Sequence, residues 1–212
     1  MSDYPDNWQG QLSSGLELMG LEVGQRQQQK LLDYLALLMK WNKAYNLTAV
    51  RDPDEMVTRQ LLDSLSILPL VQGQSILDVG TGAGLPGIPL AICMPQNSFT
   101  LIDANGKKTR FVQQAKMELG LENLQVHQTR IEQFQSQQGF DTITTRAFAA
   151  LPKIVELTAR LLSKQGVLLA MKGSIPKQEL ETIQSNSFDI DIVELTLPAS
   201  GERHAILIKA CD

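Results

Sequence analysis

Apolar residues in the first third of the chain recur at helical spacing. Between Gln25 and Asn46, the residues Leu31, Leu32, Leu35, Leu38, Met39 and Tyr45 fall at three- and four-residue steps, one stripe of an amphipathic helix. A second helix is predicted to open after Asp52-Pro53, where proline in the first turn forfeits no hydrogen bond, and to carry Met56, Leu61, Leu62 and Leu65. Upstream, Gly10, Gly15, Gly20 and Gly24 predict a short helix at best. From Ser75 the pattern changes to short apolar runs separated by helical stretches. Ser75–Val79, Ser98–Asp103, Asn123–His127, Asp141–Thr145 and Gly166–Met171 read as strands, with helical patterns at 86–93, 107–119, 130–135 and 150–163 between them. Such alternation predicts parallel strands joined by right-handed crossovers, with helices on both faces. A last helix is expected near 176–185, followed by strands at 188–197 and 203–210. Pro198-Ala199-Ser200-Gly201 between them is turn chemistry, so this pair should be an antiparallel hairpin. The expected architecture is α/β: a seven-stranded mixed sheet in residues 74–212, preceded by a helical extension, residues 1–73, packed on its substrate side.

Composition narrows the classes. A chain of 212 residues, 43% hydrophobic and 20% charged, suits one folded core with a modest appendage and not a disordered segment. No run approaches the roughly 18 apolar residues of a membrane span, and the start, Met1-Ser2-Asp3-Tyr4-Pro5-Asp6, is acidic where a secretion signal would be basic, so a cytoplasmic protein is expected. Cys93 and Cys211 cannot build a disulfide framework, and with His127 and His204 they offer no metal-ligand spacing, so no metal is expected. The net charge of −4 excludes nucleic-acid binding by bulk positive charge, while leaving room for a local basic patch.

The sharpest signal is Asp78-Val79-Gly80-Thr81-Gly82-Ala83-Gly84-Leu85-Pro86-Gly87, where a strand gives way to a helix. Glycines at 80, 82 and 84 permit positive φ and remove side chains that would block a ligand across the strand's carboxyl end. Asp103 closes the next strand, where a carboxylate can accept from both ribose hydroxyls of an adenosine. A dinucleotide site wants G-x-G-x-x-G, with the pyrophosphate at the helix N-terminus. Here the spacing is G-x-G-x-G behind Asp78, which suits a phosphate-free ligand with a cationic amino-acid head. S-adenosylmethionine meets both conditions.

This stretch resembles the cofactor motif of the RsmG (GidB) family, the guanine-N7 methyltransferases of small-subunit ribosomal RNA. Trp41-Asn42-Lys43-Ala44-Tyr45-Asn46-Leu47-Thr48, Arg146-Ala147-Phe148-Ala149 and Met171-Lys172-Gly173 extend the similarity over roughly residues 25–210. The resemblance implies a Rossmann-like class I fold and methyl transfer from S-adenosylmethionine to N7 of one guanine, guanine-527 in the family, of 16S rRNA in the 30S subunit. Carried over by position, it implies cofactor contacts at Gly80, Leu85, Ile131, Glu132 and Arg146, with Asp103 at the ribose. One departure is Gln60, where many members have His, although Asp63-Ser64 remain.

Guanine N7 exposes a lone pair and carries no proton, so its attack on a methyl sulfonium needs alignment and water exclusion but no general base. A cation aimed at N7 would compete for that lone pair, so an arginine in the pocket should engage O6 or phosphate. N7 is hidden in the narrow major groove of A-form RNA, so the target must lie in a loop or be splayed out. Arg146, Asn46 and Lys172 are the candidates for the reacting base, although Asn46 could equally cap its helix. Lys107, Lys108, Arg110, Arg130, Lys172 and Arg203 are the candidate RNA contacts, nearly all at the carboxyl ends of parallel strands. An NAD(P)-dependent oxidoreductase using the same turn, and a non-catalytic ribosome-binding module that kept the fold, are the competing readings.

Overall fold

Alternation along the central strands sorts their side chains onto two buried faces. In β1 (Ser75–Val79), Ile76 joins one hydrophobic cluster while Leu77 and Val79 join another. This computed structural model describes residues 4–183, 188–198 and 201–211; Ala199, Ser200 and the predicted end of the last helix, 184–185, lie outside the described residues. With β2 (Ser98–Asp103), β3 (Leu124–Gln128), β4 (Phe140–Arg146), β5 (Leu162–Lys172), β6 (Phe188–Glu194) and β7 (His204–Ala210), the sheet has seven strands in the order β3-β2-β1-β4-β5-β7-β6. Strands β1 to β5 pair in parallel, and β7 runs antiparallel to both β5 and β6. In β5, Val167, Leu169 and Met171 face one cluster and Leu168 and Ala170 the other, as expected of a sheet covered on both sides.

The first face is covered by α1 (Asn7–Leu18), α2 (Gln25–Tyr45), α3 (Pro53–Met56), α4 (Asp63–Leu65), α5 (Gly87–Cys93) and α6 (Gly106–Leu119), which contribute Trp8, Leu35, Met56, Leu65, Ile88 and Phe111 to its cluster. The second is covered by α7 (Leu151–Thr158) and α8 (Lys177–Ile183). Between α3 and α4 the helix widens into a π-helical turn, Val57–Leu62, a feature that often marks functional segments. Among the described residues, no helix is long and apolar enough to cross a membrane, and no group of three or more His, Cys, Asp or Glu could hold a metal ion.

Three helices differ from the sequence expectation, β5 starts four residues earlier than expected, and the strand expected at 188–197 ends at Glu194. Helix α1 has 12 residues despite Gly10 and Gly15, because Trp8, Leu12 and Leu16 are buried and Gly15 lies against Leu62, where a Cβ would collide. Tertiary packing overrides the weak local propensity. The helix predicted at 130–135 is only a turn. Its apolar residues are too few for a stripe, and Arg160 Nη2 pins it by donating to the carbonyls of Ile131 (2.6 Å) and Phe134 (2.9 Å). The helix predicted to run to 163 stops at Thr158 and passes through a 3-10 turn, Ala159–Leu161, because β5 starts at Leu162 to pair with Phe140 across an irregular register.

Candidate functional site

The chain travels outward from β1 to β3 and then returns to place β4 beside β1. Ligands of open α/β sheets bind at such a reversal, outside the carboxyl ends of the strands. Here β1 enters the glycine turn, with φ of 67° at Gly80 and 60° at Gly82. The amides of Gly80 and Thr81 both donate to the Ile102 carbonyl of β2, at 3.0 and 3.1 Å. The turn is braced from three further sides. Asp103 Oδ2 accepts from the Gly82 amide at 2.9 Å. Asp78 accepts from Thr81 Oγ1 (2.6 Å), the Gly87 amide (3.0 Å) and Thr144 Oγ1 (3.2 Å). From the helical extension, the buried Tyr34 hydroxyl of α2 donates to the Ala83 carbonyl at 2.7 Å. Burial pushes the Tyr34 phenol up, so it stays a donor.

The role expected of Asp78 is corrected by this arrangement. It is 0% exposed and absent from the cavity lining, and its hydrogen bonds hold the turn from behind where a position facing a ligand's cationic head was expected. Burial pushes its pKa up to about 6, against the hydrogen bonds from Thr81, Gly87 and Thr144 and the positive field of Arg146.

In front of the turn lies a cavity of about 340 Å³, within the range of small-molecule sites. It is lined by Val79 and Gly80 from β1, Ile102 to Ala104 from β2, Lys108, Thr129 to Glu132 after β3, and Ala147 and Phe148 after β4. Gly80, Asp103, Lys108, Arg130, Ile131 and Glu132 are thus brought together. Gly84 and Leu85 are buried within the turn and do not reach this surface. A Cβ on Gly82 would point into open space, with nothing nearer than 3.9 Å, whereas one on Gly80 would strike the Phe148 ring. Each Asp103 oxygen accepts one backbone amide, Gly82 or Asn105, and each keeps a lone pair for a further donor.

The strand-end cations are not free. Arg146 donates through Nη1 to Asp63 Oδ2 (2.8 Å) and through Nη2 to Gln60 Oε1 (3.1 Å), both on or beside the π-helical turn. Asp63 Oδ1 also accepts from Arg203 Nε at 3.0 Å, so one carboxylate holds two guanidiniums. Gln60 donates onward to Thr48 Oγ1 at 2.8 Å, and the Asn42 side chain accepts from the Thr48 amide at 2.9 Å. Lys172 pairs with Glu179 at 3.1 Å, and Glu179 also accepts from the Leu151 amide that opens α7. Partial burial raises the Glu179 carboxyl, but the Leu151 amide and Lys172 outweigh it and hold its pKa below the usual range. Lys107, Arg110 and Arg130 are exposed, with Arg110 Nε donating to the Gly106 carbonyl. Asn46 takes the second of its two expected places, at the end of its helix. It ends α2 at φ 51°, accepts from Arg51 at 2.8 Å and lines a separate cavity of about 380 Å³ with Met39, Asn42 and Met56.

The family model for rRNA small subunit methyltransferase G (GidB) matches residues 27–207. A ribosomal RNA small subunit methyltransferase G of Marinobacter nauticus is 53% identical over 99% of this chain and 98% of its own length. One from Stutzerimonas stutzeri is 49% identical over 99% of both chains. The chain belongs to this GidB family. Among solved structures, a putative O-methyltransferase from Klebsiella pneumoniae superposes with a TM-score of 0.61 at 14% identity, covering 84% of this chain and 90% of that one. Magnesium protoporphyrin IX methyltransferase from Synechocystis, with its bound cofactor, gives 0.61 at 13% identity over 84% and 97%. The fold of this GidB member is therefore that of the Rossmann-like class I methyltransferases.

Several residues at the site escaped the sequence reading. Tyr34 is not part of the apolar stripe picked out in α2, and nothing local shows that its hydroxyl would meet Ala83. Phe148 and Ala147 stood in a quoted motif, but their place beside Gly80 depends on β4 pairing with β1. Asp63 was visible as part of an Asp-Ser pair, and its double arginine contact needed the tertiary structure.

Proposed function

We propose that this protein transfers a methyl group from S-adenosylmethionine to N7 of a guanine in 16S rRNA, on the 30S subunit or its RNA, in the cytoplasm. The observation that carries the reading is the glycine turn opening onto the cavity beside Asp103, in a chain of this family. The residues present fit the cofactor. A Cβ on Gly82 would enter open space, and Asp103, which lines the cavity, retains a lone pair on each oxygen for ribose hydroxyls. Gly80, Asp103, Ile131 and Glu132 would hold it, with Asp78 and Tyr34 fixing the turn that they share. When bound, S-adenosylmethionine supplies an electrophilic methyl on a sulfonium.

The protein's own part is positioning. N7 attacks with its own lone pair, so no proton has to leave and no side chain has to act as a base. Asp63 and Gln60 hold the Arg146 guanidinium, and Glu179 holds the Lys172 ammonium, which keeps these cations from the N7 lone pair. Arg146 keeps N–H donors for O6 or phosphate, having five in all. Lys107, Lys108, Arg110 and Arg130, on the β2–β3 side of the cleft, supply phosphate contacts that position the RNA without reading its sequence. The helical extension, residues 1–73, forms the substrate-side wall through Gln60 and Asp63.

The test is methylation of rRNA from a strain lacking the enzyme, using methyl-labelled cofactor and mapping by aniline cleavage. Label in small-subunit RNA with a single aniline-dependent break is expected. Label without such a break, or label confined to large-subunit RNA, refutes the N7 assignment. Titration with S-adenosylhomocysteine and NAD separates the oxidoreductase reading, which tight binding of NAD alone would favour.

A further inference from the structure

Of the large hydrophobic side chains left exposed among the described residues, Phe148 is the one that borders the cavity. It is 38% exposed. Its position is set by the backbone: Ala147 takes a left-handed φ of 52°, which L-residues other than glycine adopt at a cost. That bend turns the chain back from β4 so that the ring lies over the α-carbon of Gly80, where even a methyl group would clash. Arg146, immediately before the bend, is fixed by Asp63 and Gln60. A strained residue, a locked neighbour and a glycine that makes room together hold one aromatic face at the mouth of the site.

We propose that the exposed face of Phe148 is the stacking platform for the guanine that is methylated. This rests on the methyl-transfer reading above. A guanine whose N7 must be reached has to leave the narrow groove, and a splayed base is held by stacking on an aromatic ring. The ring adds no cation that would compete for the N7 lone pair. Methylation also leaves positive charge on the purine, and an aromatic face attracts a cation lying over it. Phe148 therefore serves both capture of the base and the transition state, and its loss should alter KM for RNA and kcat together.

The variants are Phe148→Leu, which keeps apolar bulk without the π-face, and Phe148→Tyr and Phe148→Trp, which keep it. For Phe148→Leu, kcat/KM on 16S rRNA should fall about 30-fold, the scale of one lost base stack. Its affinity for S-adenosylhomocysteine should fall much less than its RNA turnover, because the ring borders the same cavity beside Gly80 but is assigned to the base. Tyr and Trp should restore most of the turnover. Tryptophan at 148 should also have its fluorescence quenched on adding 16S rRNA, measured as a difference from the unmodified protein with Trp8 and Trp41. Wild-type turnover in Phe148→Leu, equal losses of RNA turnover and of S-adenosylhomocysteine affinity, or an unquenched Phe148→Trp would each overturn the proposal. If the unmodified enzyme failed to methylate small-subunit RNA, the reading of the activity would fall. Quenching at position 148 would then still decide whether a base stacks there.

Discussion

Replacing Tyr34 by phenylalanine removes one oxygen and leaves the ring of α2 in place against Phe111, 6.2 Å away between centroids. The lost hydroxyl is the donor to the Ala83 carbonyl at 2.7 Å, in a buried setting where water cannot take over. A buried acceptor stripped of its donor costs about 1–3 kcal/mol, so about 2 kcal/mol is expected here. For a chain of this size each kcal/mol moves Tm by roughly 2–4 °C, which gives a fall of about 4–8 °C in a thermal melt. Ala83 lies between Gly82 and Gly84, so freeing its carbonyl also loosens the turn before any ligand arrives. Part of the binding energy must then go into ordering the turn, and affinity for S-adenosylhomocysteine by titration calorimetry should fall about tenfold. A variant that melts with the wild type would show that the hydrogen bond is dispensable. One that melts lower but binds normally would show that the helical extension does not hold the cofactor turn.

Gly82→Ala should cost about 1 kcal/mol of stability from its positive φ, and a larger loss of S-adenosylhomocysteine affinity, about tenfold or more, because its Cβ enters space in front of the turn. A folded variant with normal affinity would remove Gly82 from the site. Asp78 has a pKa raised from 3.8 to about 6, so the folded state holds its proton more tightly than the unfolded chain. Its contribution to stability is complete below about pH 4 and is lost as the pH rises through about 6, so Asp78→Asn should flatten that part of the urea-midpoint profile. Profiles of equal slope for both proteins between these pH values would contradict the burial argument.

The sheet was legible because its strands are short apolar runs, as a sheet buried on both faces requires, set between helical stretches, and the observed strands match the predicted runs closely from β1 to β4. The Gly80–Gly84 turn and Asp103 were legible for a related reason: a strand end and a helix start bracket them locally. What escaped the sequence lies in long-range geometry. Glycines discouraged the α1 prediction, yet Gly15 is where α1 crosses Leu62 and a side chain would not fit. Asp78 was visible as an acidic residue before the glycines, but its direction was not. Its three donors, Thr81, Gly87 and Thr144, come from the turn, the start of α5 and a neighbouring strand. The cations at the strand ends were visible too, whereas their partners Asp63 and Glu179 sit 83 and 7 positions away.

If the reaction is the proposed transfer to guanine N7, those pairings let an acidic protein handle RNA without blocking its own chemistry. A free arginine beside the target would attract RNA and also occupy the N7 lone pair. On the β4–β5 side the conflict is eased by pairing: Asp63 serves Arg146 and Arg203, and Glu179 serves Lys172, so two carboxylates offset part of the charge of three cations and leave directional N–H donors. At the β2–β3 side, Lys107, Lys108, Arg110 and Arg130 form no ion pair among the described residues, and there a phosphate can be met by charge alone. The two halves of the cleft thus divide the work. On that reading, RNA affinity should depend on salt through the second set, and the orientation of the base on hydrogen bonds and stacking in the first.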